Sequence, residues 1–288
     1  MDSSLQSFLS KKLREPISIT SSTPITGGDI NQVFRVKTSE GDFCVKQNDR
    51  NKFPKMLEKE AIGLKELSQK SSFCIPEVIG HFEDENQQYL ILGFIESGNQ
   101  SVNFWSDFGE QLATLHQVSS DSFGWKSDNY IGSLPQKNDK RNDWGSFYAE
   151  MRILPQLKMA FDKGWINSTD IRNGEKLCLQ FDALFPKEAP ALLHGDLWSG
   201  NYMTDASGNP VLIDPAVYYG HREMDLGMMH LFGGFSQVLF DAYHAHFPLE
   251  KLWRERIPLT QLYPLLVHVN LFGGTYVQSV RSIFQKYS

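Results

Sequence analysis

Apolar positions along the chain fall in two spacings, the short runs of strands and the three-or-four spacing of helices, and strands dominate before residue 95 and helices after residue 104. After a short leading helix over 4–13, residues 17–20, 33–36 and 42–46 read as strands. In the third, Phe43 and Val45 share one face, while Cys44 and Lys46 share the other. Residues 55–68 read as a helix, with Leu57, Glu60, Leu64 and Leu67 at i, i+3, i+7 and i+10. That register puts Glu60 inside an apolar stripe, where a charge is costly unless paired. Lys46, ending the third strand, is its natural partner; Glu58 lies off the stripe. Residues 76–79 and 89–92 read as strands four and five, and Ser97-Gly98-Asn99-Gln100 as a linker. The expected domains are 1–96 and 97–288.

The second part reads as mainly helical. Phe104, Phe108, Leu112 and Leu115 make one buried helix face, with His116 a structural residue at its end. Residues 123–138 read as a polar loop carrying Asn129, Gln136 and Asn138, either a plain surface loop or one that faces a sugar. Further helices begin near Trp144, with Phe147 and Arg152, and over 170–184. Residues 192–215 then run LLHGDLWSGNYMTDASGNPVLIDP. Gly208-Asn209-Pro210 is a turn signal, and Val211-Leu212-Ile213 is a short strand that ends at Asp214. A loop, a tight hairpin and a second loop thus present Asp196, Asn201 and Asp214.

That set has a chemical sense. An Asp, an Asn five residues on, and an Asp at the end of a short strand is the grammar of a kinase catalytic loop. Phosphoryl transfer from ATP requires charge neutralisation and in-line positioning more than covalent help. A hard Mg²⁺ ion takes oxygen ligands, which suits Asn201 and Asp214. Asp196 is then the base that orients the attacking hydroxyl and takes its proton. Upstream, Thr26-Gly27-Gly28-Asp29-Ile30-Asn31 is either a hairpin turn or a loop whose amides approach phosphates. Lys46 and Glu60 fit the phosphate-orienting pair of a kinase, and Gly93, Phe94 and Ile95 the segment whose backbone bonds adenine.

Composition narrows the picture. A chain of 288 residues holds two lobes and a large core. A net charge of −6 leaves no basic footprint for nucleic acid. No apolar run approaches a membrane span, and residues 1–13 lack a signal-peptide core. Cys44, Cys74 and Cys178 are too few and too scattered for a disulfide framework or a zinc site, as expected in a reducing cytoplasm.

HGDLWSGN followed by IDPAVYYGHREMDLGMMHLFGGF resembles the fructosamine (ketosamine) kinase family, and the resemblance spans nearly the whole chain. The HGDxxxxN core alone is shared with aminoglycoside and choline kinases; Leu197-Trp198 and the DPAxxYGHxxxDL tail are family-specific. The resemblance implies an α+β, two-lobed, protein-kinase-like fold, with a five-stranded antiparallel sheet in one lobe and a mainly helical second lobe. It implies ATP and Mg²⁺ as cofactors and O3 of a ketosamine as acceptor, on a small molecule or a glycated protein amine, in deglycation. It assigns the glycine loop through Ile30 and Asn31 to the nucleotide, Trp198, Asn129, Gln136 and Asn138 to the acceptor, and a structural role to Asp225. The absence of an APE motif argues against a protein-kinase substrate platform. Two alternatives stay open here: another small-molecule kinase of the aminoglycoside or choline type, and a catalytically dead nucleotide-binding module.

Overall fold

A computed structural model describes residues 2–25 and 30–287. In chain order the elements are α1 (Asp2–Leu13), β1 (Ile19–Ile25), β2 (Gln32–Thr38), β3 (Gly41–Asp49), α2 (Met56–Lys70), β4 (Val78–Glu83) and β5 (Gln87–Gly93). There follow α3 (Phe104–His116), β6 (Asn129–Ile131), β7 (Leu134–Gln136), α4 (Trp144–Phe147), a π-helical stretch (Tyr148–Ile153), α5 (Leu154–Asp162), α6 (Ser168–Cys178) and α7 (Phe181–Leu184). The chain ends with β8 (Ala191–Leu193), β9 (Tyr202–Thr204), β10 (Pro210–Leu212), β11 (Tyr218–Gly220), α8 (Glu223–Phe232), α9 (Gln237–His246), α10 (Trp253–Phe272), a 3₁₀ turn (Gly274–Tyr276) and α11 (Val277–Lys286). No described helix is long and apolar enough to cross a membrane.

The contacts divide the chain into two units, 1–104 with 203–214, and 105–202 with 215–288. This differs from a single boundary at residue 96. The hairpin after Tyr202 belongs to the first unit because its backbone bonds there. Gly98 N–H donates to Thr204 O, Ser101 N–H to Gly208 O, and Leu212 N–H to Cys74 O.

The first unit is a five-stranded antiparallel sheet in the order β1-β2-β3-β5-β4. Alternation along β3 and β5 gives it two apolar faces. On one, Val45 and Ile91 pack with Leu5 and Leu9 of α1. On the other, Leu90 and Leu92 pack with Leu57, Ala61 and Leu64 of α2. Each fully buried Leu contributes about 1.5–3 kcal/mol. Strand β3 runs on to Asp49, so Lys46 sits inside the ladder opposite Val33 and Leu90 rather than at a strand end.

In the second unit α10 packs against α5, α8 and α11. Two expectations change. Residues 170–184 form α6 and α7, not one helix, with a break at Leu179 and Gln180. The polar stretch 123–138 is not a surface loop. It contains the β6–β7 hairpin, in which Asn129 pairs with Gln136.

Candidate active site

Lys46 projects from β3 on the α2 side of the sheet and is 4% exposed. Its Nζ donates to Glu60 Oε1 at 2.7 Å and also to Asp214 Oδ1. Burial alone would lower the Lys46 pKa, but the two carboxylates outweigh it and hold it above its ordinary value. The ammonium is therefore charged throughout the physiological range. Burial raises the Glu60 pKa, with Lys46 opposing it and Asp214 adding to it. The charge in the apolar stripe of α2 has its partner, while Glu58 lies near Lys55 at 3.9 Å on the surface.

Asp214 follows β10 with φ 54°, a left-handed conformation uncommon for a residue with a Cβ. Its side chain is 42% exposed. Asn31, past the glycine pair, accepts a 2.7 Å bond from Asn48 Nδ2 of β3. Gly27, Gly28 and Asp29 lie outside the described residues; Ile30 is half-buried. At the end of β5, Gly93 N–H donates to Glu77 O at 2.8 Å, and just beyond it Phe94 N–H donates to Asp42 O at 3.2 Å. Those two amides already have partners within the unit.

The second unit builds the loop after β8 around one buried carboxylate. Asp225, near the start of α8, accepts the His194 N–H at 2.8 Å and the Gly195 N–H at 2.9 Å on separate oxygens. His116 Nε2 lies 3.2 Å from Asp225 Oδ2, and His116 Nδ1 lies 2.8 Å from the Tyr243 hydroxyl. Burial would raise the Asp225 pKa; the His116 hydrogen bond and positive surroundings outweigh it and hold the carboxyl below its usual range. Gly195 has φ 83°, and a Cβ there would collide with the Ala216 carbonyl. The same face of the loop is tied by Ala216 N–H donating to His194 O at 2.9 Å.

Asp196 comes next. Asn201 Nδ2 donates to its backbone carbonyl at 2.8 Å and to its Oδ2 at 3.0 Å. The amide oxygen of Asn201 is thereby the end turned away from the carboxylate. Trp198 N–H and Asn201 N–H close the intervening turn onto Asp196 O and Trp198 O, at 3.1 and 2.9 Å. Trp198 is 40% exposed, its ring 6.2 Å from that of Phe232. It is a surface plane.

The three amides expected to face a sugar have other partners. Asn129, Gln136 and Asn138 are 8%, 1% and 1% exposed. Asn129 Nδ2 donates to Val217 O, and Gln136 Nε2 to Ala216 O and Asn129 Oδ1. Asn138 Nδ2 donates to Asn129 Oδ1 and Ser127 O, and Tyr263 OH donates to Gln136 Oε1. A buried amide must use its groups internally, and here they hold the backbone at 216–217. Arg152 completes the network. It is fully buried, donates from Nη2 to Asn138 Oδ1 at 2.8 Å, and lies over the rings of Phe147, Tyr218 and Tyr263. Nothing in the sequence beyond helical spacing signalled this role for Arg152.

Comparison with known proteins gives the chain a family. The fructosamine kinase family model matches residues 1–288. An Enterococcus faecium relative named as a ketoamine kinase is 40% identical over 270 residues, covering 92% of this chain and 94% of the relative. The chloroplastic protein-ribulosamine 3-kinase of Arabidopsis thaliana is 38% identical over 276 residues, covering 93% of this chain and 83% of its own. The crystal structure of a Thermobifida fusca protein named as a fructosamine-3-kinase superposes with a TM-score of 0.86 at 36% identity, covering 98% and 97% of the two chains. Aminoglycoside phosphotransferase APH(4)-Ia, at 16% identity, shares the fold with a TM-score of 0.63 over the whole of both chains. On the whole-chain match and the level of identity to its relatives, this protein belongs to the fructosamine kinase family, on the protein-kinase-like fold of the aminoglycoside phosphotransferases.

Proposed function

We propose that this protein is a kinase that transfers the γ-phosphoryl group of ATP to the 3-hydroxyl of a ketosamine. The observation that carries the reading is Lys46 held by both Glu60 and Asp214 in a chain whose whole length matches the family. A buried lysine kept charged by two carboxylates, one of them half-exposed, suits the binding of nucleotide phosphates.

Mg²⁺ fits the donor set. Asn201 and Asp214 offer hard oxygens, and the Asn201 amide is oriented with its oxygen away from Asp196. Among the described residues no group of three His, Cys, Asp or Glu side chains is poised for a metal. Asn201 and Asp214 are each of a residue type that would hold Mg²⁺ through oxygen. When bound, Mg²⁺ would supply charge neutralisation for the phosphoryl group. Asp196 orients the acceptor hydroxyl and takes its proton as the oxygen attacks. Asn201, donating to Asp196 Oδ2, fixes that carboxylate's rotamer. Trp198 offers the carbon face of the sugar an exposed plane two residues from the base. Asn129, Gln136 and Asn138 act at one remove, through the 216–217 backbone.

By family analogy, phosphate on O3 is eliminated later and frees the amine, which makes the reaction a step of deglycation. The test is mass spectrometry of ribuloselysine, fructoselysine, kanamycin and choline, each incubated with enzyme, Mg²⁺ and ATP. Gain of one phosphoryl group on either ketosamine is expected. Gain on kanamycin or choline alone moves the protein to another kinase class, and ATP binding with no gain on any marks a catalytically inactive module.

A further inference from the structure

Arg35 stands on β2, and no motif of the sequence singles it out. Its guanidinium carbon lies 4.1 Å from the centroid of the Phe94 ring. Its Nε donates to Asp42 Oδ2 at 2.6 Å and its Nη2 to Glu96 Oε2 at 2.9 Å. Asp42 in turn accepts the Phe94 N–H on its backbone carbonyl. Phe94 and Glu96 are the neighbours of Ile95 on either side, so one guanidinium holds the side chains before and after it. Gly93 and Phe94 have committed their amides inside the unit; the Ile95 N–H has no partner among the described residues.

We propose that Arg35 is a positioning residue for recognition of the nucleotide base: it fixes residues 94–96 so that Ile95 presents its N–H to a purine edge. The proposal rests on the kinase reading above, in which residues 93–95 meet adenine. Stability of the fold is a poor explanation for the full set of contacts. The Glu96 side chain is 62% exposed, and surface ion pairs add little to folding. What the contacts do supply is order in a short segment without secondary structure, and a preordered backbone does not have to be ordered at the expense of binding. A planar guanidinium suits the task, because it stacks on a ring and donates in two directions at once. Lysine does not.

The experiment is calorimetric titration of Arg35→Met with Mg·ATP and, separately, with inorganic tripolyphosphate and Mg²⁺, which lacks the base. ATP binding should weaken about tenfold, the equivalent of one well-placed hydrogen bond, while tripolyphosphate affinity stays within about twofold. In steady state the loss should sit in KM for ATP. Glu96→Gln keeps the stack and the Asp42 bond, and should weaken ATP by roughly threefold. Unchanged ATP affinity in Arg35→Met overturns the proposal, and so does equal weakening of ATP and tripolyphosphate, which marks a general structural role. If the wild-type protein binds tripolyphosphate and ATP with equal affinity, the base is not read at Ile95. If it binds neither, the kinase reading itself fails.

Discussion

Replacing Asp225 with Asn tests whether one buried carboxylate organises the HGD loop. The carboxylate has three partners, the His194 and Gly195 amides at 2.8 and 2.9 Å and His116 Nε2 at 3.2 Å. An Asn keeps one acceptor oxygen and turns an NH₂ group toward a backbone donor. A hydrogen bond to a charged group contributes about 1.5–3 kcal/mol, and a broken buried network costs about 3–5 kcal/mol. We therefore expect Asp225→Asn to lose about 3–4 kcal/mol, a large share of the roughly 5–15 kcal/mol that holds a domain together. All six tryptophans lie in the second unit, so their fluorescence in urea reports that unit selectively. Turnover measured where the variant is still folded should fall at least about tenfold, because Asp196 follows directly on the two amides that lose their anchor. The effect also has a pH signature. The folded-state pKa of Asp225 is depressed, so its stabilisation is complete above the unfolded carboxylate range and is lost as pH falls through the folded value. The stability gap between wild type and Asp225→Asn should be constant near neutrality and close in acid. A loss below about 1 kcal/mol with unchanged turnover would refute the reasoning.

Asp196→Asn should leave folding and ATP binding largely intact and lower kcat by roughly 10²–10⁴; near-normal turnover would remove it from the role of base. Lys46→Met and Glu60→Gln should each lower kcat/KM, with a double variant little worse than the Lys46 change alone, since the two act as a unit; additive effects in that cycle would count against the pair. Asp214→Ala should abolish Mg²⁺-dependent turnover, and calorimetry showing unaltered Mg·ATP binding together with persistent turnover would exclude it as a ligand.

The central strands and the α2 helix were legible because period and burial coincide there, whereas β1 lies at Ile19–Ile25 rather than 17–20 and is mostly exposed, so no apolar pattern marks it. Val45 and Cys44 alternate in sequence and face α1 and α2 in space. Glu60 could be paired with Lys46 because a charge within an apolar stripe asks for a partner. The second carboxylate on Lys46 was not legible, since Asp214 lies 168 residues away and no local pattern encodes that distance. Asn129, Gln136 and Asn138 misled for a related reason. Amides look alike in sequence whether they meet solvent or the Ala216 and Val217 carbonyls, eighty or more positions on. Arg35 was readable in principle. The Ser39-Glu40-Gly41 turn sets Lys37 opposite Asp42, which places Arg35 on the diagonal to that carboxylate. The contact division differs from a boundary at residue 96 because linker composition marks where a chain leaves a unit, and says nothing of where it returns.

That return has a consequence for biogenesis. The first unit is interrupted by 105–202 and regains its last hairpin only at 203–214. A ribosome making the chain in order releases the five strands of the sheet long before the hairpin that completes their unit. Until Asp214 emerges, Lys46 has Glu60 as its only acidic partner of the two, and Gly98, Ser101 and Cys74 lack the backbone groups they later bond. The nascent sheet is thus held one step short of its finished charge arrangement while the intervening helices are synthesised. No single proteolytic cut can separate the two units, and a fragment ending near residue 104 should be less stable than the same residues in the complete chain.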